Sequence, residues 1–300
     1  MKIWASVLSF QEVEMTSEAI DSLRAQGPVI AHIEVIGNGA SPREAADLEE
    51  LFPNVHLTIQ PDNRSFAECV NLSAKRARQA GCDCLLFLTN DACMDTGAVE
   101  SMVSKLIAMP DVAAVMPVQM RYHQPTIIQH GGGTIDRRRW ATIIEAGGKP
   151  RSALPSTGVI DRDWLDGAGV LYRLSAMEEI GDFWPGFGFY WEDADWGIRA
   201  KAKGWRVVVD CEASMRHRVS ATTSRSEKWR QYMLVRNRIL CAKRNCDESE
   251  YRRIARRLLN SAVILRFRSP KRLENRMRLR ATLDAIKGKH QEPPTPNEFI

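Results

Sequence analysis

The chain has 300 residues, 44% of them hydrophobic and 26% charged, with a formal net charge of +5. That profile fits one large globular α/β domain, or a domain with an appendage, and excludes a fibrous or disordered chain. No apolar run approaches the roughly 20 residues that span a bilayer, and the start MKIWASVLSF lacks the charged region, long apolar core and small-residue cleavage site of a signal peptide.

The charge is unevenly placed. Residues 216–290 hold 22 Lys and Arg against 6 Asp and Glu, whereas the remainder holds 20 against 31. A mildly acidic body with a strongly basic C-terminal part predicts an anionic partner for that part. The seven cysteines are scattered, with Cys82 and Cys84 as C-x-C and no second pair at zinc-site spacing. Reduced, buried thiols of a cytoplasmic protein are the expectation.

In chain order, KIWASVLSF reads as a first strand and Thr16–Gln26 as a helix closed by Gly27. VIAHIEVI is a second strand, GNGASP a turn, Arg43–Phe52 a helix and NVHLTI a third strand. Ser65–Gln79 is helical, and CLLFLT is a fourth strand apolar enough for burial on both faces. Asp95 is expected to cap a helix through Met109, ahead of a fifth strand, VAAVMPV. Strands alternating with helices of about 10–15 residues predict a mostly parallel, doubly wound sheet. Ligands bind such sheets outside the carboxyl ends of the strands, which places IGNGAS, QPDNRS and LTNDA on the binding edge.

From Arg121 to Arg162 the pattern weakens into Gly-rich loop or short hairpin. DWLDGAGVLYR returns to a strand, followed by a helix near Leu174–Ile180, an aromatic loop GDFWPGFG, a helix over 193–203 and a strand RVVVD. CEASMRHRVSAT reads as a loop. Beyond Glu227 the chain is basic helix, broken near Ser269 and Pro270, and residues 291–300 read as a disordered tail. No internal repeat is visible.

Two places carry candidate chemistry. Asn90 and Asp91 follow the fourth strand, where a carboxylate can share a Mg2+ or Mn2+ with a bound diphosphate, although both residues also form ordinary turns. The stretch FYWEDADW sets Glu192, Asp193 and Asp195 behind three aromatics. If a helix begins at Asp193, the two aspartates point about 200° apart, so both cannot face one small site. Asp195 has Arg199 four residues on, a structural pairing. Asp193, at the loop-to-helix junction, is the better site candidate, with Glu192 in or beside the site. His217 lies on the same predicted edge, either as a surface residue or as a ligand.

Taken in order, five segments resemble a family 2 glycosyltransferase of the GT-A fold, nearest its rhamnosyltransferase-like branch. They are VLSFQEVEMTSEAIDSLRAQ, DNRSFAECVNLSAKRA, LLFLTNDACMD, the long segment from WLDGAGVLYR through FYWEDADWGIRAKAKGWRVVVD, and MLVRNRILCAKRN. The resemblance implies a catalytic domain over 1–225, with a nucleotide-sugar half to about 120 and an acceptor half from about 121. A basic helical region over 226–290 follows. It implies Asp193 as general base, and Asp91 and His217 as ligands of Mg2+ or Mn2+, with Asp91 also serving the donor diphosphate. It implies Asn38, Asp62 and Asn63 along the nucleotide, Asn90 beside the diphosphate, Asp166 and Gly167 near the sugar, and Trp164 and Trp191 as apolar walls. Three positions depart from the pattern: Gly37 stands where an Asp is usual, Ser65 where Gly is usual, and Thr89-Asn90-Asp91 offers one carboxylate instead of two.

The implied activity is metal-assisted, inverting transfer of a hexosyl or deoxyhexosyl group from a nucleotide-diphosphate sugar to a hydroxyl of a glycan, a lipid-linked saccharide or a small molecule. A nucleotidyltransferase would want a Gly-rich basic loop after the first strand, and SFQEVEMTSEA has neither Gly nor Lys or Arg. A nucleic-acid partner is not expected, because the basic part has few aromatics and no recognisable module. A non-catalytic nucleotide-sugar-binding protein of the same fold is the remaining alternative. In the basic part, Ile254, Leu258, Val263, Ile264 and Phe267 are expected to share one face. Such a helix suits an anionic membrane, hence a cytoplasmic protein peripheral to the inner membrane face.

Overall fold

The computed structural model describes residues 1–218, 227–268 and 273–288. Strands β1 (Ile3–Ser9), β2 (Ile30–Asn38), β3 (His56–Gln60) and β4 (Cys84–Thr89) alternate with helices α1 (Val13–Arg24), α2 (Pro42–Leu51) and α3 (Phe66–Gln79). The four strands are parallel and lie in the order β4-β1-β2-β3. Their apolar runs are buried because helices cover both faces, and β4 is closed to solvent from Cys84 to Leu88. Helices α2 and α3 each begin with a reciprocal capping box, Ser41 with Glu44 and Ser65 with Glu68. Each cap stabilises its helix by about 0.5–2 kcal/mol. The serine at position 65 therefore has a local reason to replace glycine.

The second half holds β5 (Ala92–Met94), α4 (Ala98–Ala108), β6 (Val112–Arg121), β7 (Gln124–His130), β8 (Gly133–Asp136), β9 (Ala141–Ile144) and β10 (Val159–Arg162). It continues with β11 (Gly169–Arg173), α5 (Leu174–Ile180), α6 (Glu192–Ala202) and β12 (Arg206–His217). The main sheet runs β10-β12-β6-β11-β4-β1-β2-β3, with β5 on β12, β7 on β6, and β8–β9 as a separate hairpin. Strand β11 is antiparallel between β4 and β6, while β12 returns parallel to β6. The architecture is thus the expected mostly parallel GT-A-type sheet.

Four local readings change. Residues 121–162 are not simply loop but supply β7 through β10. The segment read as a loop, CEASMRH, continues β12 to His217. Its alternation of buried Cys211, Ala213 and Met215 with polar neighbours is the period of a strand, hidden by its polar composition. Only Gly169–Arg173 of DWLDGAGVLYR is strand. Asp95 does not cap α4, whose N-cap is Gly97; its carboxylate instead accepts from Ser214 and Arg216.

Three C-terminal helices follow: α7 (Glu227–Asn245), α8 (Glu248–Arg268) and α9 (Leu273–Ile286). Two cores cover the sheet faces, and a third joins Phe187, Trp191, Ala194 and Ile198 around α6 to Ile239 and Leu240 of α7 and Ile254 of α8. The single apolar face expected on α8 is split. Ile254 is buried and Leu258 packs on the same core, whereas Ile264 and Phe267 are exposed. The latter two lie ten and thirteen positions beyond Ile254, about 280° and 220° around the helix. The expected break near Ser269 and the tail over 291–300 lie outside the described residues. Among those described, no helix is long and apolar enough to cross a membrane.

Candidate active site

The parallel strands converge on one edge. Asp91 follows β4, and His217 ends β12 opposite Ala92 of β5. That pairing sets His217 Nε2 3.4 Å from Asp91 Oδ2. Thr89 Oγ1 donates to Asp91 Oδ1 at 2.6 Å. Gln119, fully buried near the end of β6, bridges the next step: its Oε1 lies 3.2 Å from His217 Nδ1, and its Nε2 donates to Asp166 Oδ1 at 3.0 Å. Asp91, His217, Gln119 and Asp166 therefore form one linked row. Gln119 was not singled out from the sequence, although an amide inside the apolar run VAAVMPVQM is the signal that marks it.

A cleft of about 420 Å³ opens over this row. Its walls include the expected Asp91, His217, Asp166, Gly167, Trp164, Trp191, Glu192 and Asp193. His130, Tyr190 and Arg230 line it as well, and none of these stood out in the sequence. Gly167 is required here, since a Cβ would come within 2.4 Å of the Phe66 ring. A concavity of about 1,020 Å³ along α8 is larger, but it is lined by α8 alone and contains none of these residues.

The two aspartates of FYWEDADW separate as helix geometry requires. Asp195 is fully buried away from the cleft, where Oδ2 accepts from Arg199 Nε at 2.9 Å and Oδ1 accepts from Arg244 Nε at 3.1 Å and Asn245 Nδ2 at 2.7 Å. Asp193 faces the cleft, and among the described residues its Oδ1 accepts only the neighbouring Ala194 N–H, at 2.7 Å. Burial, then the charge of Asp166, push the Asp193 carboxyl up to about 7. Glu192 goes well above the carboxylate range through burial and the adjacent Asp193, and its Oε2 has no hydrogen-bond partner among the described residues. Burial also works against a charged Asp166, but the His130 and His217 rings and Gln119 outweigh it and hold Asp166 below its ordinary value. For Asp91, burial is likewise outweighed, by the His217 contact and the Thr89 hydroxyl. The result is a carboxyl group, Asp193, poised near neutrality in a cleft where Asp166 and Asp91 are held below their ordinary values.

The remaining expected residues stand apart from this cleft. Asn38 donates from Nδ2 to Asn63 Oδ1 and the Arg64 carbonyl, and its Oδ1 accepts from the Arg64 N–H. Asn90 donates to the Glu12 carbonyl and lies 3.3 Å from the Thr16 hydroxyl of α1. Both side chains bond to protein partners and shape their loops. Asp62 and Asn63 are exposed on the strand edge. At Gly37 a Cβ would sit 3.0 Å from Ile59 Cδ1 and 3.1 Å from Leu48 Cδ1, so a larger side chain there would have to displace these two side-chain ends.

Residues 6–191 match the family model "Glycosyl transferase family 2". The chain belongs to glycosyl transferase family 2. This glycosyltransferase is 29% identical over 217 residues to "O-antigen biosynthesis protein RfbC" of Myxococcus xanthus, covering 68% of its own length and 16% of that protein's. It is 24% identical over 226 residues to "N-acetylglucosaminyl-diphospho-decaprenol L-rhamnosyltransferase" of Mycobacterium tuberculosis, covering 68% and 71%. Among solved structures, GalNAc-T7 with UDP, GalNAc and Mn2+ superposes at a TM-score of 0.67 and 13% identity, over 98% of this chain and 59% of that one. The mannosyltransferase PcManGT of Pyrobaculum calidifontis with GDP-Man and Mn2+ superposes at 0.54 and 16%, over 99% and 77%. These two likenesses establish the GT-A fold.

The donor set fits a divalent ion of the diphosphate-binding kind. Among the described residues, no group of three or more His, Cys, Asp or Glu could hold a metal by itself. Mg2+ in such sites uses one or two carboxylates and completes its shell with phosphate oxygens and water. Asp91 and His217 supply two donors at one point of the edge, and Gln119 orients the imidazole through Nδ1 so that Nε2 faces Asp91.

Proposed function

We propose that this glycosyltransferase moves a sugar from a nucleotide-diphosphate donor to an acceptor hydroxyl by single displacement, with inversion at the anomeric carbon. The observation that carries the reading is one cleft holding a carboxyl group raised to about 7, Asp193, together with the Asp91–His217 pair. Asp193 accepts the acceptor's proton as its oxygen attacks, a step worth about 10²- to 10⁴-fold in rate. Asp91 and His217 would hold a Mg2+ or Mn2+, which when bound would offset negative charge on the departing diphosphate. Asp166, kept charged by its histidine neighbours, orients the sugar from beside Gly167, and Trp164 and Trp191 give its ring apolar faces. Asp62 and Asn63, exposed along the same edge, face the nucleotide. Glu192 stays protonated beside Asp193, and Asp195 holds the start of α6 in place.

The Mycobacterium tuberculosis relative's name motivates a lipid-linked saccharide as acceptor and rhamnose as the transferred sugar, and RfbC motivates a place in cell-surface polysaccharide synthesis. The exposed arginines of α8, with Ile264 and Phe267 among them, suit the anionic membrane surface on which such acceptors lie. No nucleic-acid role is proposed. The test is nucleoside-diphosphate release from UDP-glucose, UDP-N-acetylglucosamine, GDP-mannose and dTDP-rhamnose, with and without Mn2+ and a polyprenyl-diphosphate-linked sugar. Turnover of one donor that is lost in Asp91→Ala, together with Mn2+-dependent binding of the matching nucleoside diphosphate, supports the reading. Absence of turnover with every donor, or unchanged Mn2+-dependent binding in a folded Asp91→Ala chain, rejects it.

A further inference from the structure

The backbone that presents Asp193 is in an unfavourable conformation. Tyr190 has φ of 71° and Trp191, the N-cap of α6, has φ of 78°. Two consecutive bulky residues in the left-handed region are strained, and such a bend persists only where its surroundings over-determine it. Asp193 lies two residues further on. Relaxation of this bend would swing the first turn of α6 and move the carboxylate within the cleft.

The surroundings that fix it belong to α7, which lies beyond residues 6–191. Asn237, fully buried, directs its Nδ2 at three carbonyls of the bend: Phe187 at 2.9 Å, Phe189 at 2.7 Å and Tyr190 at 2.9 Å. Arg236 donates to the Gly186 carbonyl at 3.1 Å and, at 2.6 Å, to Asn237 Oδ1, which locks the amide in the orientation that aims Nδ2 at the bend. Two turns later, Arg244 and Asn245 hold Asp195 inside the first turn of α6, and the Arg244 guanidinium lies 4.4 Å from the Trp184 ring centroid. Helix α7 thus grips the segment carrying Asp193 at both ends, ahead of it through the carbonyls and behind it through Asp195. Neither contact touches the cleft's reacting groups.

We infer that Asn237, locked by Arg236, and the Arg244–Asn245 pair are positioning residues for glycosyl transfer, holding Asp193 at its catalytic point through the strained Tyr190–Trp191 bend. The inference rests on Asp193 as the base. It makes α7 part of the catalytic apparatus, where its position after the sheet would suggest a mere appendage.

The test uses the full chain and the donor that turns over in the panel above. Asn237→Ala is expected to lower kcat by about 10- to 10²-fold, to change the Kd of the matching nucleoside diphosphate with Mn2+ less than about 3-fold, and to displace the acidic limb of the pH–rate profile. Arg244→Gln, a partly exposed and milder change, should do the same by about 3- to 10-fold and guards against a misfolded Asn237 variant. Tyr190→Gly supplies the rescue, because glycine adopts the left-handed region without help. The fold-loss caused by Asn237→Ala should therefore shrink when measured in a Tyr190→Gly background. Equal losses in both backgrounds, a matching loss of nucleotide affinity, or full turnover in both α7 variants overturns the inference while leaving the transfer reaction standing. Absence of turnover in the unmodified chain would instead reject the reading beneath it.

Discussion

The carboxyl edge of the first-half strands and the wall that α6 adds from the second half treat polar side chains in opposite ways. On the first edge, Asn38 and Asn90 are bonded to the protein itself, and each side chain fixes a loop. In the second wall, among the described residues, Asp193 has only the neighbouring Ala194 N–H on its side chain and Glu192 Oε2 has no partner. An unsatisfied buried polar atom costs about 1–3 kcal/mol, so a fold does not keep several in one cleft without return. The comparison separates groups that build the site from groups held in reserve for a ligand. The same contrast appears within one helical turn, between Asp193 in the cleft and Asp195 behind it.

That contrast is most exposed to test at Asp193. Asp193→Asn keeps the side chain's size and removes its basicity. Turnover should fall by about 10²- to 10⁴-fold with little change in nucleoside-diphosphate affinity. If Asp195→Asn is inactive and well folded while Asp193→Asn remains active, the division of labour is reversed.

Asp195 should show its effect in stability. The i, i+4 spacing to Arg199 alone, on an exposed face, would suggest a few tenths of a kcal/mol. The structure corrects that scale, because Asp195 is fully buried and bonded to Arg199, Arg244 and Asn245. Removing one member of a buried charged network costs about 3–5 kcal/mol. Asp195→Ala should lower Tm by roughly 10 °C, at about 2–4 °C per kcal/mol for a chain of this size. A melting curve that moves by less than a degree would return Asp195 to the status of an ordinary helix pair.

The third prediction concerns pH. With the Asp193 carboxyl raised to about 7, the base is mostly protonated in mild acid. The rate should rise about tenfold per pH unit up to about 7 and level off above it. Stability should move the other way. Between the unfolded value near 3.9 and about 7, the folded chain keeps a proton that the unfolded chain releases, so stability falls as pH rises through that window and changes no further from this group above it. Glu192, also raised, adds to the same trend. Asp193→Asn should flatten part of the stability slope, and an unaltered slope would remove Asp193 as its source.

Much of this was legible in the sequence because it rests on periodicity. β1 to β4 announce themselves as apolar runs between helices, and Asp91 follows from where β4 ends; the sequence puts His217 on the same edge only by way of a loop, whereas β12 itself runs on to it. Helix geometry alone parts Asp193 from Asp195. The unread remainder is long-range. Gln119 acquires its role only when β6 sets it between β11 and β12, and His130 only when β7 folds back on β6. The polar half of β12 hides its alternation behind Glu212, Ser214 and Arg216. Asn237 falls in MLVRNRILCAKRN, a segment that resembles the family, but its three contacts exist only once the backbone carbonyls of residues 187–190 are placed against it.

The smallest expected effect lies farthest from the cleft, on α8. Ile254 anchors this helix to the protein, and the arc turned away from it presents exposed Arg253 and Arg256 with Ile264 and Phe267. A guanidinium near an anionic bilayer contributes about 1 kcal/mol. Arg256→Gln should therefore weaken binding to phosphatidylserine-containing vesicles by only about 5-fold, without changing nucleoside-diphosphate affinity. Phe267→Ser should weaken it as well, through loss of apolar contact with the headgroup boundary. Raising the salt from 0.1 M to 1 M shortens the screening length from about 10 Å to about 3 Å, so sedimentation with anionic vesicles should largely disappear. Equal sedimentation with neutral and anionic vesicles at low salt would show that the arginines of α8 serve the protein's own solvation and that the membrane is not their partner.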